Sequence, residues 1–63
     1  MIIENAIKQA SQLLKYHRIT SHELDAQIIL SDIMKVKREY LIINNKALIT
    51  KKIKEKYNQL LRF

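Results

Sequence analysis

The sequence has 63 residues, 48% apolar and 29% charged, enough for one small domain that buries ~60% of its unfolded surface, and too apolar for a disordered chain. It has no Cys, Gly or Pro, which excludes disulfides, thiolate zinc sites and thiol nucleophiles and any Gly-rich phosphate loop, whose backbone must approach a ligand without a Cβ. The net charge of +6 is unevenly placed, with −1 on residues 1–34 and +7 on residues 35–63.

The first predicted element is an amphipathic helix over about 2–17. Ile3, Ala6, Ile7, Ala10, Leu13 and Leu14 fall on one stripe, with Lys8, Gln9, Gln12 and Lys15 on the wet side. A second helix is predicted over 21–34. Ser21 is its expected N-cap, or Thr20 in a Thr-Ser-His-Glu capping box one residue earlier. Glu23 and Asp25 then lie near the positive end of its dipole. Its apolar positions 24, 26, 28, 29, 30, 33 and 34 cover more than one stripe. This helix is therefore expected to be central and the most buried, with 25, 27, 31 and 32 marking the remaining solvent face.

After a short Lys35-Val36-Lys37 connection, Arg38 to Ile43 reads as a short helix whose inward face draws on Val36, Tyr40, Leu41 and Ile43. A strand is the rival reading for Tyr-Leu-Ile-Ile, but no second strand is available to pair with it. Asn44-Asn45 signals a turn, because Asn tolerates the left-handed region. The fourth helix is predicted over 50–63, with Thr50 as N-cap and Ile53, Tyr57, Leu60 and Leu61 inward. The pattern runs to Phe63 without a stop signal, so the chain reads as cut short, with Leu60, Leu61 and Phe63 as surfaces another domain would cover. The fold class expected is a small all-α bundle.

No aliphatic run exceeds three residues, so neither a membrane span nor a signal-peptide core is expected, and the expected location is cytoplasmic. His17 and His22 lack further ligands for a metal and read as exposed groups at helix ends. Asp25 and Asp32 share a face but stand ~10 Å apart along the helix. Ser11, Ser21 and Ser31 have no partner constellation in the sequence. Four short helices are not expected to enclose a water-excluding cleft, so this chain alone reads as no enzyme. A helix-turn-helix reading is disfavoured, because the third segment offers mostly apolar side chains to a groove. The basic half instead suggests contact with an acidic protein partner or RNA phosphates through Lys37, Arg38, Lys51, Lys52, Lys54 and Lys56. A solvated lysine face is the plain alternative.

Leu24-Asp25-Ala26-Gln27-Ile28-Ile29-Leu30 resembles the "LDAELLL" signature that opens the second helix of the N-terminal domain in the PrmC/HemK family, the peptide-chain release factor glutamine methyltransferases. Around it, Ile19 and Ser21 resemble the family's "I-x-S" approach, and Val36-Lys37-Arg38 resembles "G-V-x-R" without its Gly. Tyr40-Leu41 is similar to the following short helix and Leu48-Ile49-Thr50 to the entry of a long basic helix. The resemblance spans nearly the whole chain. It implies a substrate-docking domain, over residues 1–63, of a protein whose Rossmann-like domain binds S-adenosylmethionine. In such a protein this domain helps grip a release factor so that the Gln of its Gly-Gly-Gln loop is methylated on the side-chain nitrogen. The catalytic Asn-Pro-Pro-Tyr motif and the glycine-rich cofactor loop are absent, so no catalytic or cofactor residue carries over. Arg18 and Lys35 stand where the family commonly has a helix-ending Gly. Either these helices end differently or each position costs ~1–2 kcal/mol in the left-handed conformation.

The function expected is thus release-factor binding within a protein-(glutamine-N5) methyltransferase, with the chain's own catalytic domain as a second partner. A free-standing basic module on RNA or the ribosome is the alternative, and an interaction domain without a charged partner is a third.

Overall fold

The computed structural model describes residues 1–61, which form four α-helices: α1 (Ile3–Tyr16), α2 (His22–Met34), α3 (Arg38–Ile43) and α4 (Lys51–Leu60). The expected all-α bundle is the one observed, with α3 and the end of α2 on their predicted limits and the other ends moved inward. The last two positions of the predicted fourth helix, Arg62 and Phe63, lie outside the described residues.

The apolar stripe of α1 is buried at Ile3, Ala6, Ala10 and Leu14, while Leu13 remains on its edge, exposed. Ala6 and Ala10 present only methyl groups, which lets α2 approach α1 along much of its length. No side chain caps α1. Its first N–H groups are satisfied from far along the chain: Ile3 and Glu4 donate to the carbonyls of Ala47 and Asn45, each at 2.9 Å. Ile49 N–H donates to Met1 O at 3.0 Å, and Ile2 pairs with Leu48 in an isolated antiparallel bridge. The 44–50 connection is therefore stitched to the start of the chain. Its turn forms without a left-handed Asn, contrary to expectation; Asn44 has φ −106°.

Although the chain has no Gly, α1 and α2 end as a Gly-terminated helix would. Arg18 (φ 63°) and Lys35 (φ 57°) are left-handed. After α1, Arg18 N–H donates to Lys15 O and Ile19 N–H to Leu14 O; after α2, Lys35 N–H donates to Asp32 O and Val36 N–H to Ser31 O. This is the Schellman hydrogen-bond pattern. In both cases the next residue, Ile19 or Val36, packs on the core. That apolar contact and the recovered carbonyl bonds offset the ~1–2 kcal/mol cost of each non-Gly left-handed residue.

As expected, α2 is central and touches all three other helices. It is not the most buried, however. Ala26, Leu30 and Ser31 are buried, but Leu24 (43% exposed) and Ile28 (39%) face outward, so α1 contributes more to the core. Only α1 matches it in length; α3 and α4, of six and ten residues, leave part of its surface uncovered. Ser31, expected on the solvent face, is buried and satisfied by donating to Ile28 O at 2.8 Å. Ser21 occupies the N-cap position without capping, because its hydroxyl donates to Asp25 Oδ2 at 3.0 Å. Thr50 does cap α4, accepting from Ile53 N–H at 3.2 Å.

Tyr57 locks α4 to α2. Its ring is fully buried and its hydroxyl donates to Ala26 O at 2.7 Å. Leu61 is buried beside it, but Leu60, expected inward, is exposed. In α3 only Leu41 is buried; Tyr40 and Ile43, expected inward, are exposed, as is Ile42. Leu41 is the one residue of α3 that reaches the core.

Candidate functional site: a groove between the first three helices

An open groove of about 550 Å³ is bounded by α1, α2 and α3. No cleft is expected here from the residue pattern. One wall is the strip of α1 next to its buried stripe: Glu4, Ile7, Lys8, Ser11, Gln12 and Lys15, spaced by threes and fours so that their side chains line one flank. His22, Glu23 and Gln27 of α2 form the opposite wall, and Leu41, Ile42 and Asn45 close one side. The groove exists because α3 is too short to cover the seam between α1 and α2.

A hydrogen bond of 2.7 Å joins Ser11 Oγ to His22 Nδ1 across the two walls. Ser11 is 9% exposed and His22 half-buried, which corrects the expectation of an exposed histidine and a partnerless serine. Nucleophilic catalysis would further need a carboxylate orienting the imidazole and donors for an oxyanion. No carboxylate is bonded to His22 among the described residues. The pair instead satisfies two polar groups where α1 and α2 meet.

Glu4 closes one end of the groove. Its carboxylate accepts from Asn45 Nδ2 at 3.0 Å and from Lys46 Nζ at 3.3 Å, with Lys8 Nζ 3.6 Å away. The hydrogen bond and charge of Lys46, with a smaller contribution from Lys8, hold this carboxyl below its ordinary value against a partial desolvation. At the other end Gln12, Lys15 and Glu23 are exposed and have no partner among the described residues.

The six basic residues singled out from sequence do not converge on one spot. Lys37 is exposed just before α3. Arg38 is turned onto α2, donating from Nε and Nη2 to Gln27 Oε1 at 3.3 and 3.0 Å. On α4, Lys51, Lys52 and Lys56 are exposed. Lys54 is half-buried, with Nζ 3.4 Å from Gln9 Oε1 and 2.9 Å from Asn58 Oδ1. Lys52 and Lys56, one turn apart, share a flank, and Lys54 lies about 200° around the helix from Lys52. Lys51 and Lys52 stand in the first turn of α4, which carries no carboxylate. At the positive end of the dipole each costs about 0.3–1 kcal/mol. Local stability therefore does not account for them.

Among the described residues no cluster of three His, Cys, Asp or Glu could hold a metal ion, and no helix is long and apolar enough to cross a membrane. The family model described as "PrmC N-terminal domain" matches residues 5–62. Neither the curated proteins nor the solved structures give a match. The family match covers all four helices except the first residues of α1, and the chain belongs to this family.

Proposed function

We propose, from that membership, that the chain is the release-factor-binding domain of an S-adenosylmethionine-dependent protein-(glutamine-N5) methyltransferase, the parent protein modifying the Gln of a release factor's Gly-Gly-Gln loop. The observation that carries this reading is the family match over 5–62. The methyl transfer belongs to another domain of the parent. A chain without Gly has no backbone cradle for the cofactor, and the groove walls offer side chains suited to a protein surface. The residues here do not fit S-adenosylmethionine, and no chemical step is assigned to them.

The role of this domain is to hold the partner while its glutamine is presented elsewhere. Orientation of that kind contributes to rate by converting a two-body encounter into a positioned one. The lysines in the first turn of α4, together with Lys37 and Lys56, support an acidic partner. Exposed cations of this sort act mainly on encounter, raising association rates at low salt.

The test is binding of a purified release factor to the chain over a series of salt concentrations. Affinity is expected to fall with salt, and Lys51→Glu with Lys52→Glu is expected to slow association. Tight binding to RNA with no measurable binding to a release factor at low salt would replace this reading with the RNA-associated module.

A further inference from the structure

We infer that the groove between α1, α2 and α3 is the surface that retains the partner, and that it takes a protein segment carrying a carboxylate beside a bulky apolar side chain. This deepens the docking reading above and rests on it. Ile7 and Leu41 give the groove an apolar floor, and Ile42, 59% exposed, stands at its edge with none of the described residues covering it. An exposed branched residue bordering a concavity is the arrangement in which a partner's apolar anchor is desolvated.

Charge selects the rest of the occupant. Lys8 and Lys15 lie two turns apart on the α1 wall. The carboxylate nearest Lys8, that of Glu4, is already engaged by Lys46 and Asn45 at the closed end. Lys15 and Gln12 have no partner among the described residues, so the open end of that wall presents a cation and an amide to an incoming acceptor. Glu23 on the facing wall, also without a partner, disfavours a second carboxylate there and fixes the direction of the segment. The part-buried Ser11–His22 bond holds the two walls at their spacing, so the groove is preformed.

The division of labour is kinetic. Lysines spread over α4 steer the encounter, and the groove sets residence time, because desolvated apolar anchors act on dissociation whereas rim charges act on association. The experiment measures association and dissociation of a purified release factor with the chain and four variants, each checked for helicity. Ile42→Asp is expected to speed dissociation about tenfold or more, and Lys15→Glu to speed it less. Ile43→Asp, at a residue 78% exposed that does not line the groove, is expected to bind like the wild type. Lys52→Glu with Lys56→Glu is expected to slow association only. If the wild type binds and both Ile42→Asp and Lys15→Glu leave dissociation unchanged, the groove is not the docking surface, while the docking role stands. Absence of wild-type binding at low salt overturns both.

Discussion

Two apolar segments of this chain, Ile28–Leu30 in α2 and Leu41–Ile43 in α3, look alike in sequence and meet different fates. In α2, Leu30 is fully buried and Ile29 packs on the core, leaving only Ile28 outward. In α3, Leu41 alone is buried, and Ile42 and Ile43 are 59% and 78% exposed. The difference lies in the neighbours. The first segment sits on a helix that touches α1, α3 and α4, whereas α3 packs chiefly on α2. Apolar content shows that a segment must be shielded somewhere; the number of adjoining elements decides how much of it this chain shields itself.

The largest expected effect tests that contrast. Leu30→Ala should destabilise the fold by about 2–5 kcal/mol, as cavity-forming core changes do, and Ile42→Ala by no more than ~0.5 kcal/mol. A domain of this size has a stability of only roughly 3–9 kcal/mol, at 0.05–0.15 per residue, so the first variant should lose a large share of it. Urea titration followed by circular dichroism decides the matter. Similar midpoints for the two variants would mean that α3 is as integral to the core as α2.

Tyr57→Phe comes next and probes the link between α2 and α4. The Ala26 carbonyl keeps its intrahelical bond when the phenol is removed, so the expected cost is about 1 kcal/mol at neutral pH. Burial pushes the Tyr57 hydroxyl far above its ordinary value of 10.0. A raised folded-state value means stability that is fully present below the unfolded value and lost as the pH rises beyond about 10. Thermal midpoints should therefore fall more steeply above that pH in the wild type than in Tyr57→Phe. Parallel alkaline decline in both proteins would remove Tyr57 as the cause.

Most of the fold is legible in the sequence, because the helices follow from local spacing. Ile3, Ala6, Ala10 and Leu14 mark α1, and Thr50 marks the start of α4. What escapes is whatever depends on residues far apart. The α1 N–H groups bond to carbonyls more than 40 positions later, and Ser11 meets His22 only because of the spacing at which α1 and α2 pack. The groove is illegible for the same reason: it is a space left by the short α3, and no residue type signals a neighbour's shortness. Of the candidate contacts, the lysines could be named from charge alone, but their dispersal around α4 and the engagement of Arg38 by Gln27 required geometry.

The two left-handed helix ends allow a smaller, opposite effect. Lys35→Gly relieves ~1–2 kcal/mol of backbone cost, while the added freedom of Gly in the unfolded chain takes back ~0.4–1. A net gain of roughly 0.5–1 kcal/mol is expected from Lys35→Gly, and the same from Arg18→Gly. Each should raise the thermal midpoint, because both positions are already left-handed. A drop at either position would show that the Arg or Lys side chain contributes more than its backbone strain costs.

The smallest effect concerns the stitch between α1 and the 44–50 connection, on which the groove's closed end depends. Glu4 binds Asn45 and Lys46, residues that also follow the weakly shielded α3. Its carboxyl is held below the ordinary 4.5, first by the hydrogen bond from Lys46 and then by the charges of Lys46 and Lys8. A depressed value contributes stability that is present above the unfolded pKa and lost as the pH falls through the folded one. Glu4→Gln keeps an acceptor for Asn45 but removes the charge. Its midpoint should lie slightly below the wild type at neutral pH and low salt, and the two should converge on acidification and again in high salt, where exposed pairs are screened. A constant offset across pH and salt would assign the role of Glu4 to its hydrogen bond with Asn45. The closed end of the groove would then be held by that hydrogen bond, as its two walls are joined by the one between Ser11 and His22.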